Sequence, residues 1–443
     1  MNDAPPPGGL KRVMRVRDGL AVTVGIIIGA GILATPGLIA GYLGDPWTIL
    51  GLWLLGGVVA GLSTLVLAEM AAALPNAGGK YVYANAAFGP IAGFVAGWSE
   101  ILVTRAFSGA AKAVLVAGYI VSLTGRGSAP ILAGVVCIGF GLVHMGGLKT
   151  GTLFQNVTTV IKVLILLAIA AAGLMAGQGV GFSAGASFNP ETSGLLAFAL
   201  SYQAVAFAYY GWEDAAKLAE ETKDPGRSLP RILIGGAAAV AVLYLLINVA
   251  FLNALTPAEM SGSALVAQDA IQSVFGGRTG TFVVWASLLI LISSANVNFM
   301  GLPRVVFGLA RDGLAPRFFT RVSPNGTPTL ALGFITLIIL GLALSGTFEF
   351  LIRFMMLVAI SVDSMVLLAF FPLRYGRPDL QRPFEVPGGP WLPGLAVLLN
   401  VTLLVIIVAT QPVLALGGGS MLAVLVIGGL LFGRKKRIEI SPS

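Results

Sequence analysis

Gly25-Ile26-Ile27-Ile28-Gly29-Ala30-Gly31, with Pro36-Gly37 a short way on, lies inside an apolar run covering about residues 18–43. That run is long enough to cross a bilayer, which takes about 20 residues of helix. Glycine costs about 1 kcal/mol relative to alanine inside a helix. Two glycines around a small residue at such a depth predict a broken helix at residues 29–31. Gly25 and Gly29 alone also fit a close helix–helix crossing of the small-xxx-small kind; that crossing does not need Gly31. A similar oddity recurs in the sixth apolar run, at Phe207-Ala208-Tyr209-Tyr210-Gly211-Trp212. Interruptions in the first and sixth runs, five runs apart, are what an inverted five-helix repeat predicts.

Composition sets the frame. Hydrophobic residues make up 56% of the chain and charged residues only 10%, with a mean hydropathy of +0.91. Soluble domains carry about 25% charged residues, so these charges cannot furnish a water-facing surface. The formal charge of +8 does not mark a nucleic-acid binder, because the basic residues lie between apolar runs rather than in one patch. The only cysteine, Cys137, excludes an intrachain disulfide, and the only histidine, His144, leaves little for a zinc site; both read as packing residues.

Apolar runs fall near 18–43, 46–74, 90–123, 129–147, 156–177, 193–217, 231–254, 280–311, 328–346, 348–372, 391–411 and 417–433. They predict an all-α integral membrane protein with about 12 transmembrane helices, since helices satisfy their own backbone in lipid. With the N-terminus in the cytoplasm, about 20 Lys and Arg residues fall on that side and only Arg126 and Arg278 on the other. The asymmetry predicts cytoplasmic N- and C-termini. The first apolar run, about 25 residues long, exceeds a signal-peptide core and reads as a retained span.

Longer stretches carry a resemblance. Gly29-Ala30-Gly31-Ile32-Leu33 with Thr35-Pro36-Gly37, Pro75-Asn76-Ala77-Gly78-Gly79-Lys80-Tyr81-Val82-Tyr83, and Phe207 through Trp212 followed by Glu220-Glu221-Thr222-Lys223-Asp224-Pro225 are three of them. Arg304, Arg311-Asp312-Gly313 and Arg382-Pro383-Phe384-Glu385-Val386-Pro387 complete the set. In this order they resemble the amino acid–polyamine–organocation (APC) superfamily of permeases. Trp98-Ser99-Glu100-Ile101-Leu102-Val103-Thr104-Arg105, with Tyr119 further on, is similar to its L-type amino-acid transporter branch. Three positions depart from that branch: Ala106 replaces its usual proline, Tyr210 a frequent glycine and Glu213 a frequent asparagine.

The resemblance implies a LeuT-type fold with a 5+5 inverted repeat and discontinuous first and sixth helices. Its expected organisation is a cytoplasmic N-terminal segment 1–17, a transmembrane domain 18–433 and a cytoplasmic tail 434–443. Repeat one covers about 18–177, repeat two about 193–372, and the last two spans about 391–433. The setting implied is the plasma membrane, here the inner membrane of a bacterium. No cofactor or metal is implied. The partners are a small amino acid and the lipid bilayer. The loop at about 124–129 holds no cysteine, so no disulfide-linked accessory subunit is expected there.

The same resemblance implies the site. Backbone N–H groups of Ala30 and Gly31 take the α-carboxylate, and a glycine-lined break suits that task because it bares donors. Carbonyls near Ile27, Ile28 and Phe207 meet the ammonium. Gly29, Ala208, Tyr210 and Gly211 shape the rest, with Phe207 as an aromatic gate. If its ring points inward, Tyr210 favours small neutral amino acids; an outward ring leaves room for branched or aromatic ones. With Tyr210 and Glu213 the sixth span is partly similar to the cationic-transporter branch, so a cationic or larger neutral substrate stays open. Lys162 lies inside the fifth span, where a lysine is a functional candidate by default, though snorkelling to the near edge is open to it. The family places such a lysine where sodium sits in sodium-coupled relatives, bridging the first and eighth spans through carbonyls near Gly29 and the Ser293 or Ser294 hydroxyl. This disfavours sodium coupling and leaves exchange and proton symport open. Glu100 and Arg105, five apart, are not expected to share a helix face. Arg105 and Lys112 are expected to share one, lining a wet vestibule or pairing with Glu213, Asp214 or Asp363. Glu69 reads as structural. An enzyme would need a nucleophile–base pair or metal cluster and a channel charged rings or a repeated filter; the sequence has neither. An amino-acid sensor uses the same pocket, and flux alone separates it from a transporter.

Overall fold

The computed structural model describes residues 14–75, 78–145, 148–176, 178–183, 194–263, 265–311, 313–323 and 326–432. The expected tail 434–443, most of segment 1–17, and Asn76, Ala77 and Asp312 of the quoted motifs lie outside the described residues. Regular structure among the described residues is helical, apart from one isolated bridge between Met14 and Thr222.

The first apolar run forms two helices, α1 (Val16–Ile27) and α2 (Ala30–Leu43), bent by 42° at Ile28 and Gly29. α3 (Pro46–Ala73) starts where the Asp45 side chain accepts from the Thr48 N–H at 2.7 Å, with proline in the first turn. Such an N-cap satisfies an otherwise orphaned donor. A short α4 (Lys80–Phe88) follows, then α5 (Pro90–Ser99), a π-helical turn Glu100–Arg105, and α6 (Ala106–Thr124). α7 (Ala129–Met145), α8 (Leu148–Ala176) and the short α9 (Val180–Ser183) close the first half.

α10 (Gly194–Tyr209) ends at the second interruption. Gly211 has φ +115° there, a conformation open to glycine and strained for other residues. The chain does not resume as α-helix; it continues as a 3-10 helix, Asp214–Glu221. Then come α11 (Pro225–Ala254), α12 (Pro257–Gly262), α13 (Val266–Phe275), α14 (Thr279–Arg311) and α15 (Thr329–Ser345). The chain finishes with α16 (Phe348–Leu368), α17 (Phe370–Gly376), α18 (Trp391–Thr410) and α19 (Pro412–Phe432). Among the described residues, eight helices are long and apolar enough to cross a membrane, or nine with the bent α1–α2 pair. α7 and α15 are shorter apolar helices.

The two interruptions meet. α2 packs on α10, while α1 packs on α11 and α8. A Cβ at Gly31 would lie 2.2 Å from the Cα of Ala208, so glycine is what lets the two backbones touch. Gly31 is therefore a close-approach glycine as well as a neighbour of the break. Around this centre α14 packs on α6 and α8, and α16 on α6 and α10. α16 is mostly buried, whereas α18 and α19 turn most of their surface outward.

Candidate functional site

A cavity lies where the interruptions face each other. Ile27, Gly29, Ala30 and Gly31 line it from the first, and Phe207 and Tyr210 from the second. α6 and its π turn add Thr104, Arg105, Ser108 and Lys112, and α14 adds Ser294. Ile28, Ala208 and Gly211 are not in the cavity wall; they are buried in the backbone immediately behind it. Because α2 begins at Ala30, the Ala30 and Gly31 N–H groups belong to its first turn, where helix donors lack intrahelical partners. The partial positive end of the helix adds to their pull on an anion. The Phe207 ring packs edge-on against Phe348, with centroids 5.8 Å apart.

Tyr244 of α11 ties the interruptions together. Its hydroxyl is 3.1 Å from the Ile27 carbonyl and 3.2 Å from the Ala208 carbonyl. The Tyr244 ring packs against Trp53 and Tyr209.

Lys162 is fully buried. Its ammonium donates to the Gly25 carbonyl and, at 3.0 Å, to the Ile28 carbonyl. Snorkelling is thus not its conformation; it caps the end of α1. Neither serine hydroxyl is its partner, contrary to expectation. The Ser293 hydroxyl is 2.7 Å from that of Thr158, and the buried Ser294 hydroxyl has no partner among the described residues.

Glu100 and Arg105 meet after all: the Arg105 Nε lies 3.3 Å from a Glu100 oxygen. The expectation of separate faces assumed 3.6 residues per turn. Hydrogen bonds of a π turn span five residues, which brings positions five apart into register. Thr104 does the same in miniature, bonding the Ser99 carbonyl at 3.2 Å. Arg105 also pairs closely with Asp214, and Lys217 with Glu100 and, at 2.6 Å, with Asp214. Lys112 makes no such pair among the described residues; it donates to the Ser294 carbonyl at 3.2 Å. A second cavity, lined by Glu100, Arg105, Asp214, Lys217, Arg304 and Arg311 among others, adjoins the first at Ile26, Arg105 and Val297.

Lys80 is a functional candidate that the sequence did not announce. It is buried, 2.5 Å from Asp363, 3.1 Å from Glu213 and 2.8 Å from the Tyr210 hydroxyl. Asp363 is 283 residues away in the chain, so no local pattern links them. The nearest signal is Gly78-Gly79, both at positive φ, a turn that swings Lys80 inward. These contacts hold the Tyr210 ring in the cavity wall. Glu69 accepts from Arg374 at 2.9 Å and from the Val386 N–H at 2.7 Å, a structural role. Among the described residues no His, Cys, Asp and Glu side chains group as a metal would require.

A broken apolar helix, a cavity where the two interruptions face each other, and a buried lysine on the broken end are features suited to a membrane permease. The family model described as "Amino acid permease" matches residues 18–432, and the chain belongs to that family. It is 29% identical over 395 residues to the serine/threonine exchanger SteT of Bacillus subtilis, covering 88% of this chain and 89% of that one. It is 26% identical to the b(0,+)-type amino acid transporter 1 of Mus musculus, over 91% of this chain and 84% of the relative. The large neutral amino acids transporter small subunit 2 of Mus musculus is also 26% identical, over 95% and 80%. The family and these relatives are transporters, not enzymes.

Proposed function

We propose that this chain is a secondary active, sodium-independent exchanger of small neutral amino acids that works by alternating access. The carrying observation is the facing pair of interruptions, with the Lys162 ammonium on the Gly25 and Ile28 carbonyls. A fixed ammonium at that point occupies the place a coupling cation needs. The α-carboxylate sits on the Ala30 and Gly31 N–H groups and the ammonium on carbonyls of Ile27 and Phe207. Tyr210, anchored by Lys80, limits side-chain volume, and the name of the serine/threonine exchanger agrees with a small substrate.

The fold in this proposal is a LeuT-type arrangement of twelve spans with both termini in the cytoplasm of a bacterium. Its support is the way elements of the two halves pair: α3 with α11, α6 with α14, and α7 with α15. A pseudo-twofold axis brings counterparts together in this manner. It also swaps α8–α14 for α6–α16, and both contacts occur. The second cavity, on the side bearing Lys217, Arg304 and Arg311, is the inward vestibule, and the Arg105–Asp214–Glu100 cluster stands at its boundary with the substrate site.

Counterflow in proteoliposomes tests this reading. Uptake of labelled alanine or serine should require unlabelled amino acid inside and be indifferent to sodium. Uptake into empty vesicles driven by a pH gradient would instead mark a proton symporter, and binding without flux a sensor.

A further inference from the structure

Two cations reach the wall of the central cavity, and only one is neutralised. Arg105 pairs with Glu100 and Asp214. Among the described residues Lys112 has no carboxylate partner, and its one hydrogen bond is to the Ser294 carbonyl. No Asp or Glu lines the cavity beside it. Next to it Ser294, a residue 3% exposed, lines the same cavity, and its hydroxyl has no partner among the described residues. Lys162, behind the Gly29 bend, bonds carbonyls alone and adds a second charge of the same sign.

An ammonium held in a low-dielectric site without a counter-ion costs several kcal/mol. A zwitterion adds no net charge, and its α-carboxylate already has donors in the first turn of α2. It therefore leaves Lys112 as it was. A second carboxylate on the substrate supplies the missing counter-ion and an acceptor for the Ser294 hydroxyl. We propose that Lys112 and Ser294 form an acidic side-chain subsite, so that small dicarboxylic amino acids of aspartate size are carried in addition to neutral ones. The opposite sign is disfavoured: a cationic side chain meets Lys112 head-on. This rests on the transporter reading above and extends its substrate class.

The test compares labelled L-aspartate, L-alanine and L-lysine in counterflow with the wild type, Lys112→Met, Lys112→Arg and Ser294→Ala. Wild-type vesicles should exchange aspartate and not lysine, and unlabelled aspartate should compete with alanine. The aspartate-to-alanine rate ratio should fall at least tenfold in Lys112→Met, fall less in Ser294→Ala, and stay within threefold of wild type in Lys112→Arg. The proposal is overturned if wild type moves alanine and a hundredfold excess of aspartate does not compete. An unchanged ratio in Lys112→Met also overturns it, since equal loss of both substrates marks a structural lysine. Competition in the wild type needs no variant, so misfolding of Lys112→Met leaves the test intact. Absence of any amino acid flux in the wild type sinks the exchanger reading as well, whereas alanine flux without aspartate competition sinks only the subsite.

Discussion

Replacing Gly31 with alanine puts a methyl carbon where the backbone of α10 already is. The added Cβ would stand 2.2 Å from the Ala208 Cα, 2.7 Å from its Cβ and 3.0 Å from its N. Unbonded carbons rest at about 3.5–4.0 Å. The two interrupted segments must therefore part by more than 1 Å, because no side-chain rotamer can turn out of the way. Overpacking of this kind costs about 1–3 kcal/mol, and contact with main chain places Gly31→Ala at the upper end. A loss of 1.4 kcal/mol from the competent state is a factor of about ten. Counterflow rates should drop at least tenfold and the thermal midpoint in detergent should fall. Gly61→Ala on α3 is the matched control, since its methyl meets nothing within 4 Å. It should be neutral or stabilising by up to about 1 kcal/mol. If Gly31→Ala matches wild type within twofold in rate and has the same midpoint, the close apposition of the interruptions is wrong.

Three other outcomes follow from the same geometry. Lys162→Ala strands the Gly25 and Ile28 carbonyls and should slow exchange more than it weakens equilibrium substrate binding; wild-type flux in this variant would remove the coupling role. Lys80→Met strips the buried Asp363 of its cation and leaves Glu213 only the longer 3.9 Å contact with Arg105; it should destabilise by about 3–5 kcal/mol, read as urea or thermal unfolding. Adding Asp363→Asn should cost less than the sum of the single changes, because the residues are in contact; strict additivity would deny the pairing. At α12 the Thr256 N–H and hydroxyl hold the Glu259 carboxyl below the usual glutamate range. Its folded-state pKa is depressed, so its contribution is full above the ordinary value of about 4.3 and disappears as pH falls through the lowered one. The protection factor of the Glu259 amide, its exchange rate corrected for the intrinsic pH dependence, should fall across that acid window and be flat above it.

The sequence announced the interruptions because glycine spacing is local. Gly25, Gly29 and Gly31 break the composition of an apolar run wherever that run is placed, and Lys162 declares itself by sitting in one. Less was legible where partners are remote or the helical period changes. The Glu100–Arg105 pair was hidden by the assumption of a uniform 3.6-residue turn, and an acid and a base five apart carry no signal until the turn is known to be π. Lys80 read as one more basic loop residue, since Asp363 and Glu213 come from distant parts of the chain. For Lys162 the expected carbonyl near Gly29 is there, as that of Ile28, whereas the expected serine hydroxyl is not: Thr158 claims the Ser293 hydroxyl, a choice made by packing between α8 and α14.

The Tyr244 hydroxyl sits within reach of the carbonyls of both Ile27 and Ala208, yet a phenol has one hydrogen to give. Whichever oxygen receives it, the other goes without. Since the two oxygens belong to opposite sides of the gap, that single hydrogen can fasten one side at a time, and a turn of the phenol hydroxyl passes the tie from the first segment to the second.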